Sequence, residues 1–385
     1  MSARHGVWLL GARGSVATTA ITGAAALDAG LAPATGLVTE RPEFDGAGLP
    51  EVGALVFGGH DVVETPVALR ANRLVDGGAI PPGLPAAVAD VLARIESNLR
   101  PGISWHEARA QPRAALDRAV ADLREFRERN GLASGVVINL SSTEPPVEPH
   151  PAHGDPDQLR AALDRGLGVL PPSSLYALAA IEAGFGFVEF TPSTGPTLPA
   201  LTKLARAAGV PLAGRDGKTG ETLLKAALAP AFASRALRVR SWAGTNLLGG
   251  GDGETLADPV RASAKLESKG RCLEEILGYS VEAPVRIENV RDLGEWKTAW
   301  DHIAFEGFLG VRMKMQFTWE GCDSTLAAPL VIDLARLSAL AIARGEGGIL
   351  PSLAFFFKDP AGTNEHALER QHLMLLEWVR SGVRV

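Results

Sequence analysis

Four lysines hold the most reactive chemistry in this chain: Lys265, Lys269, Lys297 and Lys358. Lys265 and Lys269 stand four residues apart on a predicted helix, so their ammonium groups share one face. Like charges at that spacing repel mildly, and a bound anion would relieve them. Lys297 reads as preceding a helix that carries Asp301, and Lys358 follows the bulky run Phe355-Phe356-Phe357. Taken singly, each suits a solvated or snorkelling side chain. Gathered around one ligand, they would bind phosphate, depress one another's pKa and let one act as acid or base near neutrality.

Other segments offer binding. Gly11-Ala12-Arg13-Gly14-Ser15-Val16-Ala17 follows an apolar run and opens an alanine-rich stretch. A tight turn feeding a helix N-terminus is what a dinucleotide pyrophosphate requires, although Arg13 stands where a strict GxGxxG has its second glycine. The acid that would hold the ribose is expected about 20 residues further on. Glu40 and Asp61 both qualify, and spacing does not choose between them. Gly214-Arg215-Asp216-Gly217-Lys218-Thr219-Gly220-Glu221-Thr222 sets charge and hydroxyls at a helix start, which suits an anion or plain capping. Asn246 to Gly253 crowds glycines around Asp252, as a backbone passing close to a ligand or a surface turn would. Asp323-Ser324 opens a long apolar helix and reads as its N-cap.

The elements that must position these residues alternate short β-branched runs with longer helical periods, the pattern of a mainly parallel sheet covered by helices. Strands are expected near 6–10, 36–39, 54–57, 135–140, 185–190, 235–240, 285–290, 311–318 and 353–357. Helices are expected from about 15 to 29, 85 to 99, 113 to 129, 324 to 344 and 365 to 379, and from a Ser173 cap to about 183. After Gly214 the texture changes. Val311, Met313, Met315 and Phe317 alternate with Arg312, Lys314 and Gln316, as in an antiparallel sheet or an oligomer surface. The division expected is a discontinuous domain, 1–213 with 323–385, around an inserted unit, 214–322.

Composition bounds the rest. Of 385 residues, 38 are Lys or Arg and 44 Asp or Glu, a net charge of −6 that argues against nucleic-acid or anionic-membrane partners. Cys272 and Cys322 have no metal-ligand spacing, the histidines form no HExxH, and GxSxG does not occur, so no catalytic metal or serine hydrolase is indicated. The apolar stretch from Gly6 to Ala12 is too short for a secretory signal, and no run of 18 apolar residues predicts a membrane span. The chain reads as cytoplasmic.

Taken in order, the motifs resemble the inositol-3-phosphate synthase family, also called myo-inositol-1-phosphate synthase. Nine segments carry the resemblance: Gly11 to Thr19, Phe57 to Asp61, Ser142-Thr143-Glu144, Gly214 to Thr222, Asn246 to Gly253, Ser263 to Lys269, Lys297 to Asp301, Asp323 to Leu330, and Phe357 to Pro360. The resemblance implies an α/β fold in which a Rossmann-type parallel-sheet domain holds NAD and an inserted α+β domain supplies catalysis and homotetramer contacts. It implies cyclising isomerisation of D-glucose 6-phosphate to an inositol monophosphate by oxidation, enolisation, aldol closure and reduction. Lys265, Lys269, Lys297 and Lys358 match the family's pocket lysines. Gly11, Arg13, Gly14, Ser15, Val16, Asp61, Ser142, Thr143, Asp216 and Asp323 fall to the cofactor side, and Lys218, Asn246, Asp252, Asp301 and Ser324 to the substrate. Departures are Arg13 in the glycine loop, Gly250-Gly251 before Asp252, and Glu189 where many members carry asparagine. They leave two alternatives: an NAD-dependent cyclase or dehydrogenase of a related sugar phosphate, or a non-catalytic NAD-binding sensor.

Overall fold

The computed structural model describes residues 3–249 and 272–382. Seven parallel strands form its main sheet: β1 (Arg4–Leu10), β2 (Leu55–Asp61), β3 (Leu99–Pro101), β4 (Leu132–Asn139), β5 (Gly186–Glu189), β6 (Pro211–Gly214) and β11 (Gly348–Ile349), in the order β11-β6-β5-β4-β1-β2-β3. The winding reverses between β1 and β4, and in such sheets the crevice beyond the carboxyl ends of the strands is where ligands sit. Helices cover both faces, so the strands are apolar on both sides. Val7, Leu9, Val136 and Ile138 pack on one face beneath Ser15–Asp28 and Asp323–Ala343, while Trp8, Leu10 and Val137 pack on the other beneath Pro112–Asn130 and Pro172–Ala183.

A second sheet has the order β10-β9-β7-β8: β7 (Arg238–Leu248), β8 (Val285–Asn289), β9 (Trp296–Glu306) and β10 (Arg312–Cys322). β9 runs antiparallel to both β7 and β10, while β7 and β8 are parallel. Its inner face packs Trp242 and Ile303 against Ala229 and Phe232 of the helix Glu221–Ser234.

By length and composition alone the helix Asp323–Ala343 could cross a membrane, but Asp333 and Arg336 interrupt its apolar run and 72% of its apolar window is buried. It is a core helix here. Its Asp333 accepts from Val38 N (2.9 Å), Thr39 N (3.1 Å) and Thr39 Oγ1 (2.6 Å), and burial pushes that carboxyl up to about 6. Those bonds also explain why 36–39 is no strand. Its amides turn to Asp333, and Val38–Glu40 forms a 3-10 turn. The segment 85–99 breaks into helices Leu84–Ala87 and Ala89–Glu96 followed by β3. Residues 353–356 belong to a 3-10 helix, Pro351–Phe356, begun by Pro351, and the extended Phe357 caps it. The predicted strand at 235–240 starts later, as β7.

Candidate active site

A cleft opens where the two sheets converge. From the parallel sheet it is walled by Val16 in the first turn after the glycine loop, Leu140, Ser141 and Thr143 beyond β4, and Phe190 to Pro192 beyond β5. The second sheet contributes Asn246 and Leu248 of β7, Ile287 of β8 and Lys297 of β9. Asp216, Gly217, Thr219 to Thr222, Asp323, Ala327 and Lys358 close it between them.

On the parallel-sheet side, Gly11 sits at φ +75°, with its amide donating to His60 O at 2.9 Å, and Gly14 N closes the turn onto Gly11 O at 2.9 Å. A Cβ at Gly11 would lie 3.1 Å from Leu140 O, so glycine is required both for the turn and for the approach of the neighbouring chain. The helix Ser15–Asp28 then begins with no side-chain cap and no acid in its first turn, which leaves its amides and dipole for an anion. Asp61 ends β2 and accepts from Arg13 N at 2.7 Å and Val63 N at 2.9 Å. Topology therefore separates the two candidate acids. Asp61 stands at the strand end beside the glycine turn, while Glu40 is paired with Arg336 at 2.5 Å. These residues fit a dinucleotide.

On the other side, each lysine meets a carboxylate. Lys358 Nζ donates to Asp216 Oδ1 at 2.7 Å, and Lys297 Nζ donates to Asp323 Oδ1 at 2.6 Å. Thr219 Oγ1 donates to the same Asp323 oxygen at 3.3 Å, and the Lys297 ammonium lies 5.3 Å from the Trp319 ring centroid. Lys297 and Lys358 are nearly buried, so their charge acts in a medium where electrostatic contacts are stronger than in water. Chemically, the cleft pairs an anion-binding helix start with fixed ammonium groups, a setting for a phosphorylated, polyhydroxylated ligand beside a dinucleotide.

A family model of NAD-binding proteins, described as myo-inositol-1-phosphate synthase, matches residues 5–380. The chain belongs to the myo-inositol-1-phosphate synthase family. Its cofactor is NAD. It is 31% identical to inositol-3-phosphate synthase 1 of Bacteroides thetaiotaomicron, over 97% of this chain and 93% of that protein. It is also 30% identical to inositol-3-phosphate synthase 1 of Homo sapiens, over 74% of this chain but 54% of the longer human protein. In fold it resembles the crystal structure of inositol-3-phosphate synthase from Caenorhabditis elegans, at a TM-score of 0.86 and 21% identity, covering 98% of this chain and 86% of that one. A synthase-related protein from Thermotoga maritima aligns at 0.78 and 23% identity over 98% of both chains.

Of the residues expected at the site, Val16, Thr143, Asp216, Asn246, Lys297, Asp323 and Lys358 line the cleft, while Gly11 and Asp61 line an adjoining one. Gly14 closes the turn between them, and Ser142 lies in the loop after β4. Arg13 and Ser15 are engaged elsewhere: Arg13 pairs with Glu96, and Ser15 Oγ donates to Glu295 Oε1 at 3.0 Å while accepting from Arg70 at 2.6 Å. Lys265, Lys269 and Asp252 lie outside the described residues.

Three others stand behind the wall. Lys218 does not line the cleft. Its ammonium is buried against Gln371, and that burial pulls it down to about 8. Asp301 is fully buried and accepts from Trp242 Nε1 at 2.8 Å, and Ser324 contacts Cys322 Sγ at 3.2 Å. Two local expectations are corrected. Lys297 and Asp301 lie together on β9, not before and within a helix. Asp323 is the first residue of its helix, with Cys322 as cap.

Sequence reasoning placed Glu221 only within the 214–222 motif and missed its partnership with Lys225. Their four-residue spacing is that of an ordinary surface pair, and only burial sets them apart: Lys225 is 0% exposed and Glu221 3%. Glu189, noted only as a departure, is a buried carboxyl held by Asn139 Nδ2 (2.9 and 3.0 Å) and by Thr191 N (3.0 Å) and Oγ1 (2.6 Å). Burial outweighs these donors and pushes it up to about 8.

Proposed function

We propose that this chain is an inositol-3-phosphate synthase that converts D-glucose 6-phosphate to an inositol monophosphate. The observation that supports this most is the meeting of Lys297 and Lys358, from different layers of the fold, at one cleft beside the glycine turn. Bound NAD supplies the reversible removal and return of a hydride at the sugar's C5. The chain supplies everything else. Gly11 and the first-turn amides of Ser15–Asp28 receive the pyrophosphate, Asp61 takes the ribose hydroxyls, and Ser142, Thr143, Asp216 and Asp323 complete the cofactor side. Lys297 and Lys358, with Lys265 and Lys269, hold the phosphate, stabilise the oxyanion that develops when the C6 proton leaves, and carry protons. Clamping a developing oxyanion contributes about 3–4 kcal/mol per donor. Asp216 and Asp323 keep the two ammonium groups fixed until the substrate arrives.

Residues 1–213 and 323–385 form the NAD domain in this reading and 214–322 the catalytic and tetramer-forming one. That division agrees with the sheets, since β7 to β10 all fall between 214 and 322. A homotetramer is supported by apolar side chains left on the second sheet and its turn: Trp296 is 42% exposed, Trp300 40% and Phe308 88%. Incubation of the NAD-loaded protein with glucose 6-phosphate, followed by phosphorus NMR, tests the activity. An inositol phosphate signal without accumulated NADH is the expected result. Steady NADH accumulation, or no product, overturns it.

A further inference from the structure

We infer that the buried pair Glu221–Lys225 is a positioning device: it turns the side-chain amide of Asn246 so that its oxygen, not its nitrogen, faces the substrate cleft. The identity of the ligand rests on the proposed function; the orientation of the amide does not.

Glu221 is the first residue of the helix Glu221–Ser234, and Lys225 follows one turn later. Lys225 Nζ lies 2.6 Å from Glu221 Oε1, and Asn246 Nδ2 donates to Glu221 Oε2 at 2.7 Å. All three side chains are buried, and Glu221 and Asn246 line the cleft. Exchanging a buried ion pair for apolar side chains is commonly neutral or stabilising, so its presence beside a binding cleft asks for a reason other than stability. The strand opposite makes room for it. A Cβ at Gly244 would lie 2.9 Å from Glu221 Oε1 and 3.4 Å from Asp301 Oδ1, so β7 forgoes a side chain where the two carboxylates sit.

The consequence follows from donor and acceptor inventory. Beside the Lys225 ammonium the Glu221 carboxylate stays charged, and a charged carboxylate only accepts. Asn246 must then present its nitrogen to Glu221, which leaves its oxygen for the cleft. The ammonium groups of Lys297 and Lys358 are donors only. The Asn246 oxygen therefore gives the cleft an acceptor of fixed direction, suited to a sugar hydroxyl. A site built to bond a hydroxyl discriminates strongly against ligands that cannot donate there.

The test is a reciprocal substitution in the NAD-loaded protein. In Glu221→Gln the new amide oxygen takes Lys225 and its nitrogen faces Asn246, which must rotate and show its NH2 to the cleft. KM for glucose 6-phosphate should rise at least tenfold, with kcat within about threefold, while the melting temperature falls because the buried Lys225 ammonium loses its counter-charge. Adding Asn246→Asp to Glu221→Gln restores an acceptor toward the cleft and should return KM to within about threefold of the parent, whereas Asn246→Asp alone sets two carboxylates face to face and should raise it. A KM unchanged in Glu221→Gln, or a double variant no better than either single, overturns the inference while leaving the proposed function standing. Absence of turnover in the parent protein overturns the proposed function instead. Neutron diffraction then decides the orientation without turnover: an Asn246 deuteron directed at Glu221 supports it, and both deuterons directed at the cleft refute it.

Discussion

Lys358 and Asp216, 142 residues apart in the chain, meet with Nζ 2.7 Å from Oδ1 at the wall of the cleft. The backbone enforces the meeting: Lys358 N donates to Asp216 O at 2.7 Å, and Lys218 N donates to Phe356 O at 2.8 Å. Asp216 adopts φ +61°, a left-handed conformation that Asp tolerates better than most residues and that still costs about 1 kcal/mol or more. The local cost is offset by a network that holds a charged pair at the cleft wall. Lys358→Ala should therefore lower kcat by about 10²–10³, the typical loss of one oxyanion donor, without changing NAD affinity or assembly. Product formation by phosphorus NMR, with NAD titration alongside, checks it; a kcat near the parent's removes Lys358 from the mechanism.

In the proposed function Asp61 recognises the cofactor through charge. Asp61→Asn keeps the side-chain volume and an acceptor for Arg13 N but loses the charge. A hydrogen bond to a charged group contributes about 1.5–3 kcal/mol, so NAD affinity should fall roughly tenfold to hundredfold. Calorimetric titration of NAD into cofactor-stripped protein measures it, and equal affinities would mean another residue holds the ribose.

Glu189 should make stability depend on pH in an unusual direction for a carboxyl. Its folded pKa, about 8, lies above its ordinary value of 4.5, so between those limits the folded chain binds the extra proton. Stability is full below about 4.5 and declines as pH rises through 8. Asp333 acts in the same sense, but its window ends near 6. His60 acts oppositely: burial lowers it, so its contribution is lost only as pH falls below 6.5. From pH 6.5 to 8 Glu189 is thus isolated from these two. The melting temperature should fall by several degrees over that interval, and Glu189→Gln should flatten the fall. Parallel curves for the two proteins would contradict the assignment.

The outer face of β9 offers a test of assembly. Trp296 and Trp300 stand on it, both partly exposed. In the proposed homotetramer, Trp300→Asp should shift sedimentation from tetramer to smaller species while the far-UV spectrum stays native. A tetramer unchanged by the substitution would place the interface elsewhere.

Much of the fold was legible because its signals are local. The run Gly6 to Leu10, the glycine turn and the alanine-rich helix appear where their period says, as do 285–290 and the alternation from Val311 to Thr318, which emerges as β10. The failures have physical causes. Trp296 and Trp300 are four apart and mimic a helical face, but burial alternates along Lys297, Ala299, Asp301 and Ile303, which is the period of a strand. Leu353 to Phe357 is a short apolar run, and such runs do not separate a strand from a buried turn. Ser173 looked like a cap, yet Pro171 caps that helix and the Ser173 hydroxyl donates to Glu144 instead. At the site, residue types that carry charge were recognisable one by one. The Glu221–Lys225–Asn246 relay was not, because nothing in a four-residue spacing tells a solvated pair from a buried one.

The most direct measurement follows the label in glucose 6-phosphate deuterated at C5, converted by the NAD-loaded protein. A hydride that leaves and returns within one closed cleft predicts an inositol phosphate that keeps its deuterium, with no reduced cofactor released. Deuterium lost from the product, or recovered in free reduced cofactor, would contradict the account.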